Sequence, residues 1–425
     1  MTTFGQGRHV AVVDLGFGDA GKGTVVDRLC ATQPVPAVIR FNGGAQAGHN
    51  VVLADGRSHT FAQFGSGTLR GVPTHLSRFM VFDPVALVAE AAHLAALGVP
   101  DPFGLLSVDR DALVATPYHQ AVNQARETAR GAARHGSCGM GVGETVAHSI
   151  DRPDEAVRVG DLATPELLRR KLAKVREWAL STSASLIRRP APKPAVDTVV
   201  EVFAVVAARV RLTGAGDLAA LLRQPGCVFE GAQGVLLDEW RGFHPYTTWS
   251  TTTFDNVAEL AGDFLRLGVL RCYTTRHGAG PLVTEDAGLT ATLVDPHNHT
   301  GPWQGAFRVG HFDAVAHRYA IEVCGGVDGL ALTHLDVAAR TPELRVCRSY
   351  PGGLERLVPG VFRDLDHQES LTARLAEAVP HLDAEAPTDW IAAVEGAVDA
   401  PVLLTSHGPT AEDKVVWAGS VAQVG

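Results

Sequence analysis

The chain has 425 residues, with 37 Lys+Arg against 46 Asp+Glu and a formal charge of −9. That excess of acid argues against a protein that coats nucleic acid or anionic membrane, because such binders depend on surplus positive charge. Hydrophobic residues make up 46% and charged residues 20%, which excludes disorder as the main state and provides for a large core.

The opening stretch, Met1 to His9, has no apolar signal segment, and no later stretch is apolar enough to span a bilayer, so a cytoplasmic protein is expected. The apolar run His9–Leu15 ends in glycines and suits a buried parallel strand followed by a tight turn; a helix is expected from about Lys22 to Cys30. Val35–Phe41 reads as a second strand. Pro84–Gly98 carries a strong helix signal, with Asp83 as cap, proline in the first turn and glycine at the end. From about 164 to 222 the sequence turns mainly helical, broken by the proline cluster Arg189–Pro194. Strand-like runs at Cys227–Glu230, Val269–Tyr273, Gly329–Thr333 and Pro401–Thr405 then alternate with helical stretches. The expected fold class is therefore α/β, with a large, mostly parallel central sheet and flanking helices.

The six cysteines are scattered, with no CxxC pair, and most read as buried thiols in a reducing compartment. His297 and His299 could suggest a metal, but no other ligand stands at useful spacing, and a polar loop is the better reading.

The turn Gly16-Phe-Gly18-Asp19-Ala-Gly21-Lys22-Gly23-Thr24 has the spacing G-x4-G-K between strand and helix. Such a loop aims backbone N–H groups at phosphates, while the lysine meets the terminal phosphates. Lysine is scarce here: Lys22, Lys171, Lys174, Lys193 and Lys414 are all there are. The Ser/Thr that usually follows the P-loop lysine is Gly23, so the ordinary hydroxyl ligand for Mg²⁺ is missing, and an acid, Asp19, sits inside the loop.

These residues resemble the GDEGKG loop of the adenylosuccinate synthetase family, and the likeness continues in order. Arg40-Phe-Asn-Gly-Gly-Ala-Gln-Ala-Gly-His49 is similar to RYQGGHNAGH, and Tyr118-His119 with Ala125–Ala132 is similar to the family's helix entering the nucleotide site. Phe229–Asp238 nearly repeats FEGAQGTLLD, His244–Thr253 is similar to YPYVTSSNTT, and Thr275–Glu285 resembles TRVGAGPFPTE. Gly329–Asp336 and Ser406-His-Gly-Pro409 complete the series. The resemblance implies one P-loop-like GTP-binding domain over residues 1–425 with a mainly helical insertion around 164–222.

It further implies that GTP phosphorylates the 6-oxo group of IMP and that an amine, aspartate in the family, displaces the phosphate. Asp19 would be the general base toward the ring N–H, and His49 would stabilise the transferring phosphoryl group. Gly18, Gly21, Lys22 and Gly23 would hold phosphates, and Asp336, Ser406 and Gly408 the guanine nucleotide. Asp19 and the Gly48 backbone would hold Mg²⁺. Gln46, Cys138, Gln233 and Thr248 would line the substrate nucleotide, and Arg152 would reach its 5′-phosphate in a neighbouring subunit, implying a homodimer. Plainer readings exist: an Asp19–Lys22 ion pair ordering the turn, a structural His49, Gln233 capping backbone groups, and Asp336 capping a strand end.

The departures cluster at the amine donor. Where the family carries consecutive arginines before GW(L/F)D, the segment Gly301–Asp313 keeps only Arg308, and Phe307 stands beside it. The family's TTGRGIG loop becomes Ser137–Gly143, with Cys138 for threonine and Met140 for arginine. Carboxylates need clustered donors that these side chains lack. Besides a ligase of the family type, two further readings follow: a paralogue using a different amine or oxo-heterocycle nucleotide, and a nucleotide-binding partner protein without activity. Retention of Asp19, Lys22, His49 and Gln233 together speaks against the last.

Overall fold

The computed structural model describes residues 7–187, 194–295, 298, 301, 303–352 and 356–416. Ten strands form the main sheet: β1 (His9–Asp14), β2 (Val38–Arg40), β3 (Thr74–Leu76), β4 (Leu106–Asp109), β5 (Arg211–Thr213), β6 (Val228–Glu230), β7 (Phe264–Arg271), β8 (Gly329–Thr333), β9 (Val402–Ser406) and β10 (Lys414–Val416). Their spatial order is β10-β9-β8-β7-β1-β6-β2-β3-β4-β5, and every pairing is parallel except β9 with β10. The expected mostly parallel α/β sheet is what the chain forms.

A parallel sheet is covered on both faces, and β1 shows how. Val10 and Val12 pack with Val25, Val26 and Leu29 of helix α1 (Lys22–Thr32), whereas Ala11 and Val13 belong to the larger apolar cluster on the opposite face. The period of two along the strand thus serves two cores at once. Helix α1 extends two residues beyond expectation, and the second strand is shorter than the Val35–Phe41 run. The helix at Pro84–Ala96 begins as read: the Asp83 carboxylate accepts from Val85 N and Ala86 N, each at 3.0 Å.

The 164–222 segment holds helices at Pro165–Leu186, Val196–Ala207 and Ala215–Leu221, but it also supplies the edge strand β5. Leu168, Leu172 and Phe203 from its helices share one buried cluster with Leu76 of β3 and Val108 of β4. The proline cluster read as a helix break lies outside the described residues except for Pro194. His297 and His299 also lie outside them. Among the described residues no helix is long and apolar enough to cross a membrane.

Because nine strands run the same way, their carboxyl ends share one edge, the usual ligand side of such sheets. Six of the segments singled out in the sequence leave the sheet there. The glycine turn follows β1, the His49 segment β2, the Gln233 turn β6, the Thr275–Glu285 segment β7, the Asp336 turn β8, and Ser406–Gly408 lies at the end of β9.

Candidate active site

The glycine turn is folded around a residue that the sequence reading passed over. Asp14, the last residue of β1, is 1% exposed. Its carboxylate accepts from the backbone N–H of Gly16 (2.8 Å), Gly18 (3.3 Å) and Ala20 (2.8 Å), and from Lys22 Nζ at 3.1 Å. Lys22, itself buried, donates a second bond to the Gln233 carbonyl at 2.7 Å. The lysine's ion pair is therefore with Asp14 rather than Asp19, which corrects the plainer reading of the turn. The available signal was an acid closing an otherwise apolar strand.

Lys22 also ties the turn to the segment after β6. Gly234 lies so close that an added Cβ would sit 2.3 Å from the Gly16 carbonyl oxygen and 2.4 Å from Gly18 N. The missing P-loop hydroxyl has a steric cause too. A Cβ on Gly23 would fall 2.8 Å from His49 Cβ and 3.1 Å from Ser66 Oγ, so His49 occupies the space a Ser or Thr would need.

His49 is buried, and its Nδ1 stands 2.6 Å from Glu230 Oε1 at the end of β6. Ser66 donates to the same carboxylate from its backbone N–H at 2.9 Å and from its hydroxyl. Burial pulls the His49 imidazole down to about 4. Burial pushes the Glu230 carboxyl up, but His49, Arg40 and Ser66 together overrule it and hold the group below its usual range. Glu230 is thus ionised and His49 neutral at physiological pH. Nδ1–H donates to the carboxylate, which leaves Nε2 as the nitrogen for a ligand. Glu230 lies inside the block that nearly repeats FEGAQG, but its pairing with His49 spans 181 residues and leaves no local signal.

Asp19 adopts φ 59°, Gln233 φ 57° and His334 φ 63°; the only other described non-glycine residues with positive φ are Arg363 and Asp399. Such conformations cost on the order of 1–3 kcal/mol each and persist where surrounding structure holds them. At Asp19 the hold is visible: its carbonyl accepts from Arg271 Nη1 at 3.1 Å. Its carboxylate accepts no hydrogen bond among the described residues, and its nearest cationic partner is His277, with Nε2 3.7 Å from Oδ2. Burial pushes the Asp19 carboxyl above its usual range, against the pull of His277, Lys22 and Arg271. The side-chain oxygens of Gln46 and Gln233 are buried without a partner among the described residues, as expected of groups that bind a ligand.

The residues expected at the guanine nucleotide form a second group. The Ser406 hydroxyl donates to the Gly408 carbonyl (3.1 Å), and buried Lys414 donates to the carbonyls of Gly408 (2.8 Å) and Thr410 (2.6 Å). Thr24 of α1 donates to the Pro409 carbonyl, which ties this turn to the glycine loop. Asp336 lies in the first turn of the helix Leu335–Arg340 and accepts from Arg340 at 3.3 Å. His334, which stands where the family lysine would, bonds Thr333 at 2.8 Å and turns edge-on to Tyr273.

Other expected residues sit further out. Thr248 donates its backbone N–H to the Leu237 carbonyl. Cys138 and Met140 are half-buried in a loop whose Gly139 abuts Trp303. Arg152 stands exposed after the helix Val142–Asp151 and pairs with Glu155 at 3.5 Å; no bond among the described residues joins it to Asp19 or Lys22. Arg308 is committed to Glu285 at 2.6 Å and to the Gly280 carbonyl at 2.8 Å. Phe307 packs on His277, with ring centroids 4.9 Å apart.

The chain is similar to known proteins over nearly its whole length. The family model described as adenylosuccinate synthetase matches residues 11–415. The chain is 34% identical to adenylosuccinate synthetase of Marinomonas sp. (strain MWYL1), over 97% of this chain and 98% of that protein. It is 33% identical to the enzyme of Ectopseudomonas mendocina (strain ymp), over 97% and 99%. Among solved structures, the fully ligated adenylosuccinate synthetase from Plasmodium falciparum superposes with TM-score 0.81 at 21% identity, covering 96% of this chain and 99% of that one. Succinoaminodeoxyadenylate synthetase of cyanophage S-2L, bound to dGMP and dATP as an energy donor, gives TM-score 0.55 at 18% identity, covering 98% of each chain.

Two substitutions test the construction of the turn. Lys22→Met strands the buried Asp14 carboxylate without its cation and is expected to lower unfolding stability by on the order of 3 kcal/mol, read by urea denaturation; unchanged stability would contradict the role given to the pair. Gly23→Ser is expected to leave a folded protein with His49 displaced, and turnover lower by on the order of a hundredfold.

Proposed function

The chain belongs to the adenylosuccinate synthetase family, and from that premise we propose how its own residues divide the work of a GTP-dependent ligase that forms C–N bonds on IMP-like nucleotides. The observation that carries the assignment is the meeting, at one sheet edge, of a carboxylate that accepts no hydrogen bond among the described residues and a carboxylate-oriented histidine on either side of the Lys22 loop.

In the first half-reaction Asp19 accepts the ring N–H proton beside the 6-oxo group of the nucleotide, which makes that oxygen the nucleophile toward the γ-phosphorus of GTP. The bond to the β-phosphate oxygen breaks, and GDP leaves with its electron pair. His49 faces this transfer. Its Nδ1–H stays with Glu230, and arriving phosphate charge favours the doubly protonated ring, so that Nε2–H donates to a phosphoryl oxygen. Backbone N–H groups of Gly21 and Gly23 cradle the phosphates, the Gly18 N–H being turned to Asp14, while Lys22 keeps the loop closed and adds positive charge behind it. In the second half-reaction the amine nitrogen attacks C6 and inorganic phosphate departs.

Mg²⁺ fits this donor set. Among the described residues no cluster of three or more His, Cys, Asp or Glu side chains is spaced to hold a metal. A single free carboxylate such as Asp19, with the Gly48 backbone and nucleotide phosphates, is the kind of partial shell that this ion accepts. When bound it neutralises charge on the phosphates. Asp336 would select guanine by accepting its N–H groups, and the turn Ser406–Thr410, held from behind by Lys414, would border the base. The exposed Arg152 suits a residue lent to the 5′-phosphate site of a second copy, so we read the active form as a homodimer, in the cytoplasm.

The reading is tested by incubating the protein with GTP, Mg²⁺, IMP and a panel of amines while following GDP and the nucleotide product by mass; no GDP under any combination would sink it. Asp19→Asn is expected to lower turnover by on the order of a hundredfold or more while leaving thermal stability equal or higher. The sign follows from the raised carboxyl pKa. The folded state holds the Asp19 proton more tightly than the unfolded chain, so stability from this group falls as pH rises from the usual carboxylate range through the folded value, and Asn removes that loss at neutral pH. Asn also tolerates the positive φ. The acid limb of wild-type turnover should correspondingly lie above the usual carboxylate range, and a limb at the ordinary carboxylate value would contradict the assignment.

A further inference from the structure

The hairpin formed by Thr274–His277 and Phe307–Gly310 borders Asp19, and its register decides what the amine donor meets. Arg276 pairs across the strands with Arg308, and His277 with Phe307. Side chains of successive strand residues point to opposite faces, so the two arginines share one face and His277 with Phe307 share the other. The face toward Asp19 is the second, since His277 Nε2 stands 3.7 Å from Asp19 Oδ2 while its ring packs on Phe307. His277 also meets Asn298 Oδ1 at 3.0 Å.

The arginines on the first face are spent. Arg276 donates to the carbonyls of Ala279, Pro281 and Tyr246 and lies over the Phe17 ring. Arg308 is held by Glu285 and the Gly280 carbonyl. Arg271, the remaining guanidinium near Asp19, bonds the Asp19 carbonyl, Thr275 and Tyr273 and lies 3.6 Å from Asp295. The Nε atoms of Arg271 and Arg308 are buried and have no partner among the described residues. A donor carrying two carboxylates would have to strip them of water beside a phenyl ring and an imidazole, which is costly without clustered cationic donors. An apolar or aromatic substituent, by contrast, gains contact with those rings.

We propose that the amine donor of this enzyme is a primary amine with an apolar or aromatic substituent and at most one carboxylate, selected by the His277–Phe307 face of the hairpin. This rests on the reading that Asp19 marks the reacting end of the nucleotide. Phe307 and His277 act as specificity residues, and Glu285 reinforces the selection by holding Arg308 on the far face.

The test compares L-aspartate with L-leucine, L-phenylalanine and benzylamine as donors for the full-length protein with IMP, GTP and Mg²⁺, scoring GDP release and the mass of the nucleotide product. The expected result is kcat/KM at least about tenfold higher for one of the apolar amines than for aspartate. Phe307→Arg is expected to shift that ratio toward aspartate by at least about tenfold, mainly through the KM of aspartate, with the KM of GTP unchanged. IMP-dependent GDP release that only aspartate supports, or a Phe307→Arg ratio equal to that of wild type, would overturn the inference while leaving the ligase reading intact. No GDP with any amine would remove both.

Discussion

The site is organised by one buried ion pair. Asp14 ends β1 inside the sheet, where a carboxylate out of water is tolerable only if its oxygens are fully engaged. Three backbone N–H groups of the glycine turn and the Lys22 ammonium do this, and in doing so they fix the path of the turn residue by residue. Because Lys22 also bonds the Gln233 carbonyl, the same charge anchors the neighbouring turn after β6. Buried pairs of this kind contribute less to net stability than to choosing one arrangement among several, and here the arrangement chosen is the one that leaves the Asp19 carboxylate out of the network and part-exposed.

Strain and close approach are concentrated around that pair. Asp19, Gln233 and His334 all hold positive φ, and Gly23 and Gly234 leave room for His49 and for the turn itself. The loop is consequently unlike an ordinary P-loop for a packing reason. The position that usually supplies a hydroxyl has been surrendered to His49, whose orientation comes from Glu230 on the adjacent strand. Two carboxylates at the ends of neighbouring strands, Asp14 and Glu230, therefore perform matched tasks: one shapes the glycine turn, and the other sets the tautomer of the histidine beside it.

Much of the fold was legible in the chain itself. Apolar strand runs, the Asp83 cap and the Pro84 helix start are local signals, and the structure follows them to within a few residues at their ends. The edge strand β5 was not legible inside a helical stretch, because three residues gain strand character only by pairing with β4. Among the candidate site residues, Asp19, Lys22, His49 and Gln233 stood out by their motifs, and the structure brings their segments to one sheet edge. Asp14 and Glu230 were missed as partners, since a buried acid is recognised by what surrounds it and their contacts cross up to 181 residues.

The sequence by itself determined the family, the parallel α/β architecture, the order of the site segments and the thinning of arginines before His311. Those properties are written in residue identity and short-range spacing. Only the tertiary structure decided that Lys22 answers Asp14 rather than Asp19, that Gly23 yields its space to His49, and that Arg308 points away from Asp19 while Phe307 points toward it. Each of these depends on which strand ends become neighbours and on the parity of a pleat, and a one-residue change of register would reverse the last of them.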